Sequence, residues 1–265
     1  MTDTLGDYLK ALEGGETSRR AMPGQAVYIR IDGNRFSKFT RGMARPCDAR
    51  MSGAMIATTK GLVKEFGAAL GYTQSDEISL VLWEPSEESE LVHGGKFQKL
   101  VSRTASKATH LFYRAALAQG LGQFVERQFP EFDARAFAVS LEDAGKAIYW
   151  RAIDARKNAV QMTAQGHFSP RQMHGQHTDA LLEMLAGVGI DFDSLPAFFR
   201  EGTLVRRVVV RREMTAEELE RIPEAYRPSG AIDRTDIVED RLPEMKGAES
   251  KAALLFPAPT AREQT

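Results

Sequence analysis

Two short acidic stretches carry residue types suited to catalysis. In "VYIRIDGNRF", Val27 to Phe36, an apolar β-branched run ends in Asp32 and Gly33. In "YTQSDEISLVL", Asp76 and Glu77 stand between two apolar runs. Carboxylates brought to one place repel each other unless a cation or proton intervenes, and hard oxygen ligands suit Mg²⁺. Two such ions, roughly 3.5 to 4 Å apart, can clamp the attacking and leaving oxygens of a phosphoryl transfer. Gly33 fits this chemistry, because without a Cβ its carbonyl can approach a metal and its amide a phosphate. The same residues also suit a solvated Asp-Gly turn and an exposed acidic hairpin tip.

The neighbouring pattern decides whether these residues can meet. Val27, Ile29 and Ile31 alternate with Tyr28, Arg30 and Asp32, the signature of a strand with an apolar and a polar face. Before it, "GDYLKALEGG" predicts a short helix ending at Gly14 and Gly15. Met51, Met55, Leu62 and Phe66 recur at helical intervals, and "LGYTQSDEISLVLW" reads as strand, tight turn, strand. A long helix from about Gly95 to Gly120 follows, then a strand at "RAFAVS" and a helix across "EDAGKAIYWRAIDARKNAVQMTAQ". Shorter helical pieces lead to about Gly202 and a late strand, "TLVRRVVVRR". This order predicts an α+β fold, with helices packed on one face of a mainly antiparallel sheet and Asp32 and Asp76 at one rim. Residues 1–243 form one domain in this reading. Residues 244–265, rich in Ala, Glu and Pro without periodicity, form a mobile tail.

Charge and composition limit the partners. The 265 residues include 35 basic and 36 acidic side chains, a formal net charge of -1, so any nucleic-acid binding must be local. From Leu91 to Val125 there is no acidic residue, and Lys96, Lys99, Arg103, Lys107, His110 and Arg114 follow at steps of three or four. They form one helical stripe suited to triphosphate and RNA-backbone binding, although solvated basic faces are common. The lone Cys47 fits a reducing compartment. No apolar run approaches the ~20 residues of a membrane span, and the acidic, polar N-terminus lacks the layout of a signal peptide. The expectation is a cytoplasmic protein without a membrane partner. His167, His174 and His177 lack a standard zinc spacing. Arg206, Arg207, Arg211 and Arg212 fit either nucleic-acid contact or solvated strand ends. Neither a Walker A loop nor a dinucleotide-binding GxGxxG occurs.

"RIDGNRFSKFTRG", "RPCD", "YTQSDEISLVL", "GGKFQKLVS", "FDARAF" and "WRAIDARKN", in this order, resemble the tRNA-His guanylyltransferase family, particularly its bacterial and phage-like members. The resemblance covers about Leu5 to Arg212. It implies a polymerase-palm-like, ferredoxin-like catalytic domain with extra C-terminal helices, adding nucleotides in the 3'-to-5' direction to the 5' end of tRNA. It implies that ATP first activates a 5'-monophosphate, and that the 3'-hydroxyl of GTP then attacks the activated end. Two Mg²⁺ ions would be held by Asp32, the Gly33 carbonyl and Asp76, with Glu77 beside them as a catalytic helper. Triphosphate contacts carry over to Asn34, Arg35, Phe36 and Ser37, partly through backbone amides, and to Ser75 and Lys99. Arg45 keeps a charge where many members have Lys; Ser37 stands where many have His, and Cys47 where they have Asn or Phe. Eukaryotic members carry a His-Ile-Asn-Asn tetrapeptide where this chain has Arg156, Lys157, Asn158 and Ala159. Family members are often tetramers, so a homo-oligomer is implied.

Two other functions fit parts of the pattern. A palm enzyme making a cyclic nucleotide would not need an extended basic helix. A non-catalytic RNA-binding protein would not need Asp32, Asp76 and Glu77 all intact.

Overall fold

The computed structural model describes residues 4–84, 90–243, 255–256 and 262–263. Helix α1 (Thr4–Thr17) precedes strand β1 (Ala26–Asn34), the short α2 (Phe36–Phe39), α3 (Ala49–Phe66) and the hairpin β2 (Leu70–Gln74) and β3 (Glu77–Leu82). Then come α4 (Phe97–Ala118), α5 (Gly122–Arg127), β4 (Glu131–Val139) and α6 (Leu141–Gln165). Helices α7 (Pro170–Met173), α8 (Thr178–Gly187) and α9 (Ala197–Arg200) lead into β5 (Thr203–Arg212), α10 (Ala216–Glu220), β6 (Ile232–Asp240) and β7 (Arg262–Glu263).

The strands form one sheet in the order β4-β1-β3-β2-β5-β6, antiparallel throughout, with β7 added parallel to β5. The run β1-α3-β2-β3-α4-β4 with order 4-1-3-2 is the split βαβ arrangement of ferredoxin-like palms. Alternation sets its layers. Ile29, Ile31, Ile78 and Leu80 face the core beneath α3 and α4, which meets the expected helical face. The opposite face, polar in the sequence, is partly covered as well: Tyr28, Tyr72 and Val81 pack with Ala144 and Ile148 of α6.

Several boundaries differ from expectation for identifiable reasons. Helix α1 runs through Gly14 and Gly15, which cost a helix only about 1 kcal/mol each and do not act as caps here. Strand β6 escapes the periodicity reading because its sequence, "IDRTDIVED", is half charged. It is an edge strand held to β5 by Arg206–Asp240 and by Arg211–Asp233 at 3.9 Å. Arg207 donates to the Gly67 carbonyl and Arg212 pairs with Glu218, so all four arginines of β5 have partners within the chain. In the segment expected as a tail, Leu255 is buried beside Leu204, Phe256 packs on Trp83, and Arg262–Glu263 pairs with β5; its other residues lie outside the described set. Among the described residues no helix is long and apolar enough to cross a membrane.

Candidate active site

The register of the sheet brings the acidic stretches together. Asp32 on β1 stands opposite Glu77 on β3 and Asp133 on β4. The Gly33 amide donates to the Asp76 carbonyl at 3.1 Å, fixing the hairpin turn against the end of β1. Ser75, in that two-residue turn, adopts a left-handed backbone (φ 50°) and leaves Asp76 at the rim. Asp32 and Asp76 both border a cavity of about 660 Å³, together with Ser37, Arg45, Ser75 and Glu77. Burial, and after it the charge of Asp32, pushes the Asp76 carboxyl above its ordinary value. Asp76 is therefore costly to ionise without a cation.

Gly33 has a different reason from the expected one. Its amide is spent on the Asp76 carbonyl and is not free for a phosphate. A Cβ at Gly33 would lie 2.4 Å from the Phe36 ring, so the glycine is required for Phe36 to seat beneath the turn. That ring packs on Phe39, Phe112 and Phe132 at centroid distances of 5.0 to 5.3 Å. The Phe36 side chain thus belongs to the core, and only backbone groups of this residue remain for a ligand. Asn34 and Arg35 are exposed at the end of β1 and do not border the cavity, whereas Ser37, the second residue of α2, does.

Glu77 is not the free helper that the sequence suggests. Arg151 of α6 donates to both its oxygens at 2.6 and 2.7 Å, with both residues buried, and reaches Asp154 at 3.1 Å. Burial pushes the Glu77 carboxyl up, and the guanidinium opposes that shift; two charge-assisted bonds at these lengths keep the pair ionic. Sequence reasoning does not single out Arg151 as a site residue. The available signal was a lone cation on the apolar stripe Ile148, Arg151, Ala155 of a predicted helix.

Lys99 also departs from expectation. Helix α4 runs antiparallel to α3: Lys107 pairs with Glu65 at 3.1 Å, a Cβ on Gly61 would meet Leu111, and one on Gly53 would meet Gln119. Helix α3 begins at the cavity, where Asp48, Met51 and Ser52 border it. The first turns of α4, with Lys99, therefore lie at the far end of the helix pair. Stripe periodicity gives a face but not a direction toward the site.

The loop carrying Arg45 is held from two sides. Arg127 donates to the carbonyls of Lys38, Phe39 and Arg41 at 3.3, 2.8 and 2.7 Å. Asp48 caps α3 by accepting from the Arg50 and Ala44 amides, and the Arg50 guanidinium beside it holds its carboxyl down at about 2. Arg45 and Cys47 border the cavity between these anchors. Burial raises the Cys47 thiol, which is therefore not activated.

The donor set is compatible in its chemistry with a cation shared with a substrate. Among the described residues no three His, Cys, Asp or Glu side chains converge as a metal cage, the three histidines of residues 167–177 included. Two carboxylates beside a cavity match the habit of Mg²⁺, which takes one or two protein carboxylates and completes its shell with water and phosphate oxygens. The model of the tRNAHis guanylyltransferase family matches residues 6–140, just over half of the chain. The chain belongs to that family. It is 28% identical over 230 residues to tRNA(His) guanylyltransferase of Schizosaccharomyces pombe, covering 80% of this chain and 84% of that one. A bacterial tRNA(HIS) guanylyltransferase (Thg1)-like protein solved in complex with ATP superposes with a TM-score of 0.70 at 27% identity, over 77% of this chain and 87% of that one. A structure of a bacterial tRNA(HIS) guanylyltransferase (Thg1)-like protein in complex with GTP shares the fold with a TM-score of 0.72 at 22% identity, over 97% of this chain and 100% of that one. As a family member, this protein is a nucleotidyltransferase of the tRNA 5' end.

Proposed function

We propose that the protein extends the 5' end of tRNA in the 3'-to-5' direction, with nucleoside triphosphates as substrates, and that the opposite strand of the acceptor stem selects the incoming base. The observation that carries this reading is the meeting of Asp32 and Asp76 at the rim of one cavity that also holds Ser75, Ser37 and Arg45. Asp32, Asp76 and the Gly33 carbonyl would hold Mg²⁺, whose bound form stabilises charge on transferring phosphoryl oxygens. Arg45 supplies the fixed positive charge that attracts a triphosphate into the cavity. The Ser75 and Ser37 hydroxyls offer donors beside it. The 5'-phosphate of the tRNA is activated by ATP with loss of pyrophosphate, after which the 3'-hydroxyl of the incoming nucleotide attacks that phosphorus and AMP leaves. Glu77, held by Arg151, is assigned no proton transfer.

Selection by pairing follows from what the chain lacks. The eukaryotic tetrapeptide is replaced by Arg156 to Ala159. Arg156 is engaged with Asp193 and stacked on Phe192, and cationic groups such as Lys157 position RNA without distinguishing its sequence. Base pairing is the remaining source of specificity. The family resemblance further supports a homotetramer, which light scattering of the purified protein tests, and the lone Cys47 suits a reducing compartment such as the cytoplasm. The decisive experiment offers 5'-truncated tRNAs with each of the four opposing bases, beside full-length histidine tRNA, with ATP, the four triphosphates and Mg²⁺. The expected result is addition that follows the opposing base on several tRNAs. Addition of G alone to histidine tRNA, regardless of that base, would overturn the pairing claim, and cyclic nucleotide formed without RNA would point to another palm reaction.

A further inference from the structure

The cavity does not stop at the carboxylates. Arg151, Ala155, Asn158, Met162 and Gln165, at steps of four and three, all border it from α6. At 1.5 Å per residue this row extends roughly 20 Å along the helix. A nucleic-acid strand advances about 3.4 Å per stacked base, so the row continues well past one nucleotide held at the carboxylates. Phe198 and Phe199 of α9, which packs on α6, border the same cavity.

The chemistry of this outer wall differs from that of the rim. Its polar groups are the carboxamides of Asn158, Gln161 and Gln165, all exposed and, among the described residues, making no side-chain hydrogen bond to protein. Its nearby arginines are committed: Arg156 to Asp193 at 3.6 Å, and Arg200 to the Leu195 carbonyl at 2.8 Å and to Glu201 at 3.0 Å. Phosphate therefore has no free guanidinium to meet there. Phe199 packs on the apolar cluster around Val160 and Leu185, whereas Phe198, half-buried, belongs to none of the three apolar clusters among the described residues. An aromatic face with free carboxamides beside it matches the way proteins hold unpaired bases, by stacking on the ring and hydrogen-bonding the base edge.

We infer that the α6–α9 wall is a subsite for the unpaired 3' overhang of the substrate RNA, Phe198 stacking one base while Asn158 and Gln165 hydrogen-bond base edges. This rests on the proposed action at an RNA 5' end: when that end lies at Asp32 and Asp76, the overhang beginning on the opposite strand leaves the duplex beside it. The overhang is then the single-stranded part that lies within reach of a wall leading away from the rim.

The test uses the full chain with Mg²⁺ and a non-hydrolysable triphosphate, and an acceptor-stem hairpin lacking its first 5' nucleotide, whose 3' strand either stops at the opposing base or runs four nucleotides beyond it as an overhang carrying 2-aminopurine. The wild type is expected to bind the overhanging RNA at least about tenfold more tightly, with quenching of the 2-aminopurine. Phe198→Ala and the pair Asn158→Ala, Gln165→Ala should each remove most of that preference and the quenching, while triphosphate affinity measured without RNA stays within about twofold. Retained triphosphate binding shows that the variants are folded. Equal wild-type affinity for the two hairpins, or variants that keep the preference, overturns the subsite, as does a parallel loss of triphosphate affinity, which would assign the wall to the nucleotide. If the wild type neither binds these RNAs nor extends them, it is the RNA 5'-end reading that fails.

Discussion

Arg151 bonds both carboxylate oxygens of Glu77, at 2.6 and 2.7 Å, across the interface between α6 and the sheet. The pair links the helix lining the outer cavity to the strand beside Asp32. It also turns a third carboxylate at the rim into a neutralised strut, so Asp32 and Asp76 face the cavity without its charge added to theirs.

Breaking that pair leaves a buried charge without a partner, which costs about 3–5 kcal/mol. Arg151→Met should therefore destabilise the fold by that order, and Glu77→Ala nearly as much. The double variant Arg151→Met, Glu77→Gln should recover at least half of the loss, read from a denaturant double-mutant cycle. A Glu77→Gln variant of unchanged stability but abolished transfer would restore Glu77 as a reacting group.

Asp76 behaves in the opposite sense. Its carboxyl is raised by burial and then by Asp32, so the unfolded chain ionises first. Its contribution to stability is full below the unfolded value and is lost as pH rises through the folded one. At neutral pH the free protein carries that penalty, and Asp76→Asn should raise its Tm there but not in acid. The same variant, like Asp32→Asn, should lower nucleotide addition by at least about 10²-fold. It should also lose the Tm increase that Mg²⁺ and triphosphate confer together on the wild type. A lower Tm for Asp76→Asn at neutral pH would mean that the carboxylate is stabilised by a group other than a bound cation.

The inner structure was legible because short runs rich in β-branched and other apolar residues are a strong local signal. The run "TLVRRVVVRR" became β5 without adjustment, and Ile78, Leu80 and Leu82 took the core side of β3. What was not legible depended on contacts distant in sequence. Strand β6 has the composition of a solvated segment and exists because its acids meet the arginines of β5. The polar face of β1 looked like a solvent face until α6 brought Arg151 to Glu77 over 74 positions. In the sequence the missing Cβ of Gly33 suggests room for a metal or a phosphate, whereas the structure gives that room to the Phe36 ring.

That missing side chain gives a sharp test. The nearest Phe36 ring atoms would lie 2.4, 2.7 and 2.8 Å from a new Cβ, and Phe36 is hemmed in by three further rings. Gly33→Ala should cost about 1–3 kcal/mol as an overpacked core. Because the turn of Asp76 hangs on the Gly33 amide, activity should fall as well. Gly33→Ala combined with Phe36→Leu should regain most of the stability. If stability returns and activity does not, the backbone position at 33 is needed for the chemistry itself.

The basic stripe of α4 now divides by distance from the site. Lys96 caps its start and Lys99 and Arg103 stand in its first turns, at the end away from Asp32, and Arg103 and Lys107 share Glu65 at 4.0 and 3.1 Å. A triphosphate in the cavity lies beyond reach of Lys99, so Lys99→Glu should leave triphosphate affinity unchanged within about twofold, while Arg45→Ala should weaken it by about tenfold or more, the loss of one charge-assisted contact. An exposed cationic face still attracts an RNA backbone, each phosphate contact adding close to one unit to the slope of log affinity against log salt. The double variant Lys107→Glu, Arg114→Glu should thus weaken tRNA binding and flatten that slope without altering triphosphate affinity. An unchanged slope would make the whole stripe a solvated face, with Lys107 serving only its pair with Glu65.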